Sequence, residues 1–430
     1  MITPLEALAG LAIMLGLMFL GLHVAVAMLA VGVLGAATYL GPGTIASFGT
    51  TMWSVTNDGI LTAIPLFVLL GEILVRCGAT DRLYAALSDW LGRFPGGLLH
   101  TNIAASSMFA AVSGSSVATA ATIGTVALPA FRKRAYDPRL VLGSIAAGGT
   151  LGILIPPSIN MIIYGAMANT SVGALYLAGV LPGVVMALMF MGAIALLCRW
   201  RPAFGGTVEA AAPLALRLRR LVAVLPPLLL FVLVMGSIYG GLATPTEAAA
   251  LGVLFALGIA AAHRTLSLRL LHDCFLSTVN ITAMIMLILV AAFFINFVNG
   301  VLGIPQAMAR AVVDLGVDRL QIILILFVFY LVLGCFMESL TMMVATVPVI
   351  FPIAVAAGLD PVWFGIFLVI MMEMALITPP VGMNLYVVQS VRAEGNILDV
   401  VVGVVPFLIV MIVMIVFIAL FPALVLWPLD

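Results

Sequence analysis

Residues 148–158 read GGTLGILIPPS, an apolar segment that stops at two consecutive prolines. Proline fixes φ and removes a backbone donor, so a helix that enters Pro156-Pro157 is interrupted there. The same pair recurs 223 positions later as Pro379-Pro380. Two further features repeat at that offset: Asp137-Pro138 with Asp360-Pro361, and Pro129 with Pro352. A chance register would not align three such features without insertions, so the chain contains an internal repeat built around a broken helix.

The composition places this repeat in a membrane. Of 430 residues, 64% are hydrophobic and 8% are charged, against about 25% charged in an ordinary soluble chain. The apolar runs are long and continuous, unlike the alternating segments of about 10 residues in a membrane β-barrel. The fold class predicted is therefore an all-α polytopic integral membrane protein, surrounded by the lipid bilayer.

The charge balance and the spacing of the cysteines argue against a nucleic-acid-binding protein and against a fold held by metal or disulfides. The 17 basic and 17 acidic residues balance, so no net field marks the chain for nucleic acid. The four cysteines are far apart, which argues against a metal cluster or a disulfide framework. They are Cys77, Cys198, Cys274 and Cys335. The N-terminus lacks a basic region before its first apolar run, so we do not expect a cleavable signal peptide.

Basic residues indicate the orientation of the two repeat units. They cluster at Arg132-Lys133-Arg134 with Arg139, at Arg199 and Arg201, at Arg217, Arg219 and Arg220, and at Arg264 and Arg269. The positive-inside bias places these clusters in the cytoplasm. Residues 355–362 are the counterparts of 132–139 and hold no basic side chain. The second unit is therefore predicted to lie in the opposite orientation, as in the inverted-topology repeats of many secondary transporters.

Each unit contains two polar interruptions. In the first unit, Ser113-Gly114-Ser115-Ser116 separates two arms that are too short to span a bilayer of about 30 Å comfortably, which predicts a re-entrant hairpin with a polar tip. In the second unit, residues 337–341 form the tip and residues 378–384 form the break. Irregular backbone at membrane depth is tolerated only when it is buried or lines a cavity. The four interruptions should therefore converge near the midplane, where helix N-termini attract anions and unwound carbonyls coordinate small cations.

The chain is predicted to divide into an N-terminal and a C-terminal repeat half. The first half, 1–200, comprises scaffold helices in 1–95 and a hairpin with a broken helix in 96–170. A cytoplasmic connector follows at 201–220. The second half, 221–430, comprises scaffold helices in 221–318, a hairpin with a broken helix in 319–392, and a final helix in 396–428.

A charged side chain in a membrane-spanning segment costs about 2.5–3.5 kcal/mol on insertion scales, so each needs a reason. Glu72 and Arg76 lie four residues apart and are predicted to form an ion pair. Glu247 follows Thr244-Pro245-Thr246 and is predicted to cap a helix. Glu338 takes the place of Ser115 in the repeat. For Glu338 and for Glu373, a cation ligand, a proton carrier and a buried salt bridge all remain open.

Four motifs carry a resemblance to a known family. They are SGSSVAT at 113–119, GGTLGILIPPSI at 148–159, TPTEAAA at 244–250 and ITPPVG at 377–382. They resemble the large membrane subunit of the tripartite ATP-independent periplasmic (TRAP) transporters. The resemblance implies sodium-coupled uptake of an organic acid, such as a C4-dicarboxylate or sialic acid, by an elevator mechanism in the bacterial inner membrane. It also implies two partners, a periplasmic substrate-binding protein and a small four-helix membrane subunit on a separate chain.

The resemblance further implies where the ligands bind. Sodium, the transported coupling ion, is expected at a first site formed by Ser113, Gly114, Ser115, Gly152 and Pro156. A second sodium site is expected at Glu338, Ser339, Thr378 and Gly382. Substrate contacts are expected from Ser115, Ser116, Ser158, Asn160, Thr341, Thr378 and Asn384.

Three other functions fit parts of the sequence. A standalone ion-coupled anion symporter of similar fold would need no binding protein, and a passive channel would need no second ion. An intramembrane serine protease could use Gly114-Ser115-Ser116, but its nucleophile would need a base within hydrogen-bond reach. The only nearby histidine, His100, is predicted at the base of the hairpin.

Overall fold

The computed structural model describes residues 4–131, 134–206, 213–392 and 394–429. Arg132, Lys133 and the middle of the predicted connector lie outside the described residues. All regular elements in the described ranges are helical. Six helices are long and apolar enough to cross a membrane, or up to eight if each of two bent pairs is one span.

The helices follow one another in two comparable series. The first series is α1 (Pro4–Phe19), α2 (Val24–Gly35), α3 (Ser47–Thr56), α4 (Ala63–Arg76), α5 (Ala79–Leu91), α6 (Leu98–Ser113), α7 (Ser116–Phe131), α8 (Pro138–Leu154), α9 (Ile159–Ala168) and α10 (Val172–Trp200). After α11 (Leu214–Leu221), the second is α12 (Leu225–Tyr239), α13 (Pro245–Ala262), α14 (Leu268–Val301), α15 (Ile304–Leu315), α16 (Arg319–Gly334), α17 (Ser339–Ala356), α18 (Pro361–Ile377), α19 (Met383–Val391) and α20 (Ile397–Leu420), followed by the short α21 (Ala423–Leu426).

The repeat is clearest at α8 and α18, whose first and last residues coincide at the 223-residue offset. The Asp137 carboxylate accepts hydrogen bonds from the first backbone N–H groups of α8, at 2.8 and 3.3 Å. Asp360 does the same for α18, at 2.8 and 3.0 Å. In both helices proline holds the first position, where its missing donor costs nothing. The Asp-Pro pairs thus set the start of each broken helix.

The structure shows which helices of the two repeat halves correspond. At the same offset, α12 and α13 correspond to α1 and α2, α15 to α5, and α16 to α20 to α6 to α10. The 34-residue α14 corresponds to α3 and α4 joined into one helix. The packing follows this symmetry, since α2 packs against α14 and α13 packs against α4.

The ends of α20 show that the units are inverted. At its start, Asp399 pairs with Arg139 at the start of α8, with a distance of 3.3 Å between Nε and Oδ1. Near its end, the Ile418 carbonyl accepts a hydrogen bond of 3.1 Å from the Trp363 indole at the start of α18. These positions are about 28 Å apart along a helix that rises 1.5 Å per residue. The two broken helices therefore begin at opposite ends of α20, which confirms the predicted inverted topology.

The helices pack into two groups. The core bundle comprises the hairpins α6–α7 and α16–α17, the broken helices α8–α9 and α18–α19, and α10 with α20. The outer group comprises α1–α4 and α12–α14. Helix α5 leaves α4 at a bend of 67° and packs along the first hairpin, and α15 packs in the same way on α17. These two helices connect the outer group to the core bundle.

Candidate functional site

A cavity of about 530 Å³ lies between the core bundle and the outer group. On the core side it is lined by both hairpin tips, residues 113–118 and 336–341, and by the first residues of α9 and α19. The outer wall consists of the α1–α2 turn, α4 and α14. The two tips therefore meet at this cavity as predicted, whereas the two predicted breaks reach it only through Ile153 and Met383.

Four helix N-termini reach this cavity. They are represented in its lining by Ser116 of α7, Ser339 of α17, Asn160 of α9 and Met383 of α19. The first N–H groups of a helix have no partner within the helix and carry a partial positive charge. No arginine or lysine is among the described lining residues, whose carboxylates are Glu72 and Glu338. An anion bound here would rely on helix ends and bound cations for compensating charge.

The first hairpin tip lies close against the backbone of α8 and of the first helix break. Ser116 Oγ donates a hydrogen bond of 3.0 Å to the Thr150 carbonyl. A Cβ on Gly114 would lie 2.9 Å from the Pro157 carbonyl oxygen, and one on Gly152 would lie 2.8 Å from the Ser115 carbonyl. The structure therefore brings together four residues of the first predicted sodium site, Ser113 to Ser115 and Gly152. Pro156 precedes Pro157 in the same contact region.

The second hairpin tip is organised by Glu338. Its carboxylate accepts hydrogen bonds from the Thr341 backbone N–H at 3.0 Å and from Ser339 Oγ at 2.9 Å, so it caps α17. The second break is tied to the residues before the tip, because the Val381 N–H donates to the Cys335 carbonyl at 3.1 Å. Of the second predicted sodium site, Glu338 and Ser339 line the cavity.

The other two residues of that site, Thr378 and Gly382, lie at the break outside the cavity lining. Thr378 Oγ1 donates to the Met374 carbonyl at 2.6 Å. A Cβ on Gly382 would lie 3.0 Å from the Thr378 carbonyl oxygen. The two residues therefore face each other across the turn of the break.

The predicted substrate contacts separate into two sets. Ser115, Ser116, Asn160 and Thr341 line the cavity, whereas Ser158, Thr378 and Asn384 do not. Asn384 is fully buried, and its Nδ2 donates to the Ala146 carbonyl of α8 at 3.2 Å. Ser158 is also fully buried, and its carbonyl accepts a hydrogen bond from the Tyr176 hydroxyl at 3.3 Å.

The outer wall of the cavity was not predicted from the sequence. There Phe19 packs edge-to-face on Phe336 beside the second tip, with ring centroids 5.4 Å apart. His23 also lines the cavity and caps α2 through Nδ1. Contacts between apolar side chains more than 300 residues apart leave no local pattern in the sequence, so no signal at Phe19 could have found them.

The match to known proteins covers nearly the whole chain. Residues 11–424 match the family model described as "Tripartite ATP-independent periplasmic transporter, DctM component". The chain belongs to this family. It is therefore one component of a tripartite transporter and a multi-pass protein of the bacterial inner membrane, and it is not an enzyme.

Three relatives illustrate the family. The C4-dicarboxylate TRAP transporter large permease protein DctM of Pseudomonas aeruginosa is 36% identical to this DctM-family chain, over 84% of each chain. The sialic acid TRAP transporter large permease protein SiaM of Vibrio cholerae is 32% identical over 95% of each. The isethionate TRAP transporter permease protein DctMQ of Oleidesulfovibrio alaskensis is 34% identical over 77% of this chain and 52% of its own length.

A solved structure shares the fold of this DctM component. The crystal structure of the Alcanivorax borkumensis YdaH transporter, described as having an unusual topology, superposes with a TM-score of 0.65. The match covers 92% of this chain and 91% of that chain at 15% sequence identity. The likeness supports the predicted fold class, an all-α transporter architecture of inverted repeats with hairpins and broken helices.

The protease hypothesis is wrong for this DctM component. The family is one of transport proteins, and the geometry of the candidate nucleophile agrees. Ser116 is buried and donates to the Thr150 carbonyl. His100 lies near the opposite end of α6, where a ring nitrogen is 2.8 Å from the Pro95 carbonyl.

Two of the predicted roles for charged residues are confirmed. Glu72 and Arg76 form an ion pair of 3.0 Å, and Glu72 also lines the cavity. Glu247 and Thr244 form a reciprocal capping box at the start of α13. Glu373 differs from both, since it is fully buried in α18 and neither carboxyl oxygen has a hydrogen-bond partner in the described part of the chain.

Replacing Glu373 with methionine is expected to raise the melting temperature by about 1–3 °C, because a buried polar group without a partner costs about 1–3 kcal/mol. The control is Thr150→Val at the equivalent position of α8. There the hydroxyl donates to the Ala147 carbonyl at 2.8 Å, so its removal should not stabilise the protein. Thermal unfolding of both variants at several sodium concentrations checks this. A sodium-dependent loss of stability in Glu373→Met would contradict it and make Glu373 an ion ligand.

Proposed function

We propose that this chain is the large permease subunit of a TRAP transporter that imports an organic acid together with sodium. The observation that carries the proposal is the cavity at which four helix N-termini and both hairpin tips meet, with no arginine or lysine among the lining residues that the structure describes. The three relatives are named for a C4-dicarboxylate, sialic acid and isethionate, all of which are organic anions. The substrates of these relatives differ although the relatives are about equally similar to this chain. The comparison therefore supports an organic anion as the class of substrate but does not select one acid.

The electrostatics of the cavity support a role for sodium. Helix N-termini contribute only partial charges, and Glu338 adds a full negative charge beside the site. An anionic substrate therefore needs a bound cation nearby. The backbone carbonyls of Ser115 and Pro157 lie where the first tip contacts the first break, and oxygen ligands of this kind suit small hard cations. Sodium binding is proposed to precede or accompany binding of the acid.

The position of the cavity supports an elevator mechanism. One wall belongs to the core bundle and the other to the outer group, and α5 and α15 connect the two groups. The outer wall meets the tips through apolar contacts such as Phe19 with Phe336, which can be exchanged without breaking hydrogen bonds. We propose that the core bundle slides against the outer group and carries acid and sodium with it.

The two partners are a small four-helix membrane subunit on a separate chain and a periplasmic substrate-binding protein. The family description names a tripartite system, and this chain covers only 52% of the DctMQ relative. Uptake of a panel of radiolabelled carboxylates into proteoliposomes, with each partner present or omitted, tests this proposal. A standalone symporter would transport without either partner, and a passive channel would transport without a gradient of a second ion. Equal uptake after sodium is replaced by choline at fixed pH would refute the sodium coupling.

Glu338→Gln is expected to raise the sodium concentration for half-maximal uptake by tenfold or more. Glutamine retains an oxygen that can cap α17 but removes the negative charge from the tip, and a unit charge about 4 Å from a cation contributes several kcal/mol near a protein surface. The sodium concentration for half-maximal uptake is measured in proteoliposomes over a range of sodium concentrations. Glu247→Gln, which makes the same change in the exposed capping box of α13, is the control and should leave the sodium dependence unchanged. If uptake by wild type and by Glu338→Gln depends on the sodium concentration in the same way, Glu338 is not part of the ion site.

A further inference from the structure

A second cavity, of about 470 Å³, lies at the edge of the outer group, in the region that the positive-inside bias predicts to face the cytoplasm. It lies where the starts of α5 and α12 meet α11 and the end of α13. Three arginines and a histidine line it: Arg82, Arg219, Arg220 and His263. Its remaining lining is apolar and includes Val222, Pro226 and Pro227. No part of the proposed transport mechanism uses this cavity.

The cavity carries uncompensated positive charge. Arg220 donates two hydrogen bonds to the Asp89 carboxylate, at 3.0 and 3.2 Å, and is therefore neutralised. Arg82 and Arg219 form no ion pair within the described ranges of the chain. Burial lowers the pKa of His263 and the nearby Arg82 charge lowers it further. The guanidinium groups of Arg82 and Arg219 therefore supply the positive charge that can receive an anion.

The surroundings place this charge at the level of the lipid headgroups. Helix α11 is amphipathic, with the sequence LALRLRRL, and it is held in place by Arg217, which is buried over the Trp90 ring at 4.3 Å. From Val222 the exposed apolar surface continues along α12 through Leu225, Leu229 and Val232. Basic cavities between membrane helices on the cytoplasmic side suit anionic lipid headgroups. Here the apolar face beside the cavity offers a surface for the acyl chains.

We propose that this cavity binds the phosphate group of an anionic phospholipid from the cytoplasmic leaflet, with Arg82 and Arg219 as its ligands. The two arginines belong to different helices. Arg219 lies on α11, which leads into the outer group, whereas Arg82 lies on α5, which connects α4 to the first hairpin. A phosphate held between them fixes the start of α5 to the outer group. The lipid therefore stabilises the connection about which the core bundle would move.

The test compares lipid binding by the full chain in nanodiscs containing phosphatidylcholine with increasing phosphatidylglycerol, by native mass spectrometry and thermal unfolding. Phosphatidylglycerol is expected to bind and stabilise the wild-type protein. The double variant Arg82→Gln/Arg219→Gln should bind it about 30-fold more weakly, since each arginine near an anionic surface contributes about a fivefold gain. Arg199→Gln/Arg269→Gln removes the same charge from exposed positions outside the cavity and serves as the control. Equal weakening in both double variants would overturn the proposal.

Two further measurements distinguish the source of the anion and the class of occupant. Inorganic phosphate added to protein in phosphatidylcholine nanodiscs should give no stabilisation. Stabilisation by inorganic phosphate equal to that by the lipid would assign the cavity to a soluble anion and overturn the lipid proposal. Loss of co-purification with a membrane partner subunit in Arg82→Gln/Arg219→Gln, at unchanged lipid binding, would make the cavity a protein interface and would also overturn it.

Discussion

Gly403→Val is expected to eliminate the folded protein. The side chain that glycine lacks would overlap the Arg139 carbonyl oxygen, and a side chain on Gly143 would overlap the Gly403 carbonyl. Helices α8 and α20 therefore meet backbone to backbone, as small residues permit in membrane proteins. Because the obstructing atoms belong to the backbone, no side-chain rotation relieves the overlap. The loss of folding free energy should therefore exceed about 1–3 kcal/mol, which is the range typical of an overpacked core.

Fluorescence-detected size-exclusion chromatography and thermal unfolding in detergent check this prediction. Gly403→Val should give aggregated protein or none. Gly258→Val is the matched control, because Gly258 also lies inside a membrane helix, α13, and a Cβ there would have nothing within 4 Å. A Gly403→Val protein that elutes as a single peak and melts close to the control would show that α8 and α20 do not approach each other in this way.

The sequence predicted those parts of the fold that proline and aspartate mark. Asp137-Pro138 and Asp360-Pro361 set the starts of α8 and α18, and the Pro-Pro pairs end the first segment of each broken helix. The two halves were predicted as repeat halves with scaffold helices of their own, but the correspondence between individual helices of the outer group was not predicted. Helix α13 has a marked start, Thr244-Pro245 with Glu247, whereas the equivalent positions before α2 are Gly21, Leu22 and Val24 and do not share it. The correspondence becomes visible only when the bounds of the helices are compared at the 223-residue offset.

The sequence predicted which regions of the chain form the cavity better than it predicted which side chains line it. Both tips line the cavity, because a hairpin that enters the membrane must place its polar turn where it is buried or solvated. Asn384 does not line the cavity although it is the last residue of the predicted second break. The rotation of the short α19 about its axis decides where Asn384 points, and that rotation is set by packing on α7 and α8. Local sequence does not encode such a contact.

The contact between Gly143 and Gly403 shows the same limit at longer range. The two glycines are 260 positions apart, and each lies in an unremarkable apolar helix. Glycine in a membrane helix fits many roles, so neither position stands out. Only the arrangement of α8 against α20 makes the absence of a side chain necessary at both.

The largest expected effect on transport is that of a substitution at Gly114, in the lining of the cavity. This glycine ends α6 at φ +60°, and a Cβ there would lie 2.9 Å from the Pro157 carbonyl oxygen. Valine in this left-handed conformation costs about 1–2 kcal/mol and would also push the tip away from the first helix break. The carbonyls of Ser115 and Pro157 would then separate, and the proposed first sodium site would be lost. Gly114→Val is therefore expected to reduce uptake at least 100-fold.

The matched control for this variant is Gly241→Val. Gly241 has φ +65° in the turn between α12 and α13, and a Cβ there would have nothing within 4 Å. Both variants therefore carry the same backbone strain, and only Gly114→Val adds a contact at the hairpin tip. Sodium-driven uptake should be scaled to the amount of monodisperse protein in each proteoliposome preparation, so that a stability loss common to both cancels. If the scaled rates of the two variants agree within tenfold, strain alone explains the defect, and the contact between the tip and the break does not form the ion site.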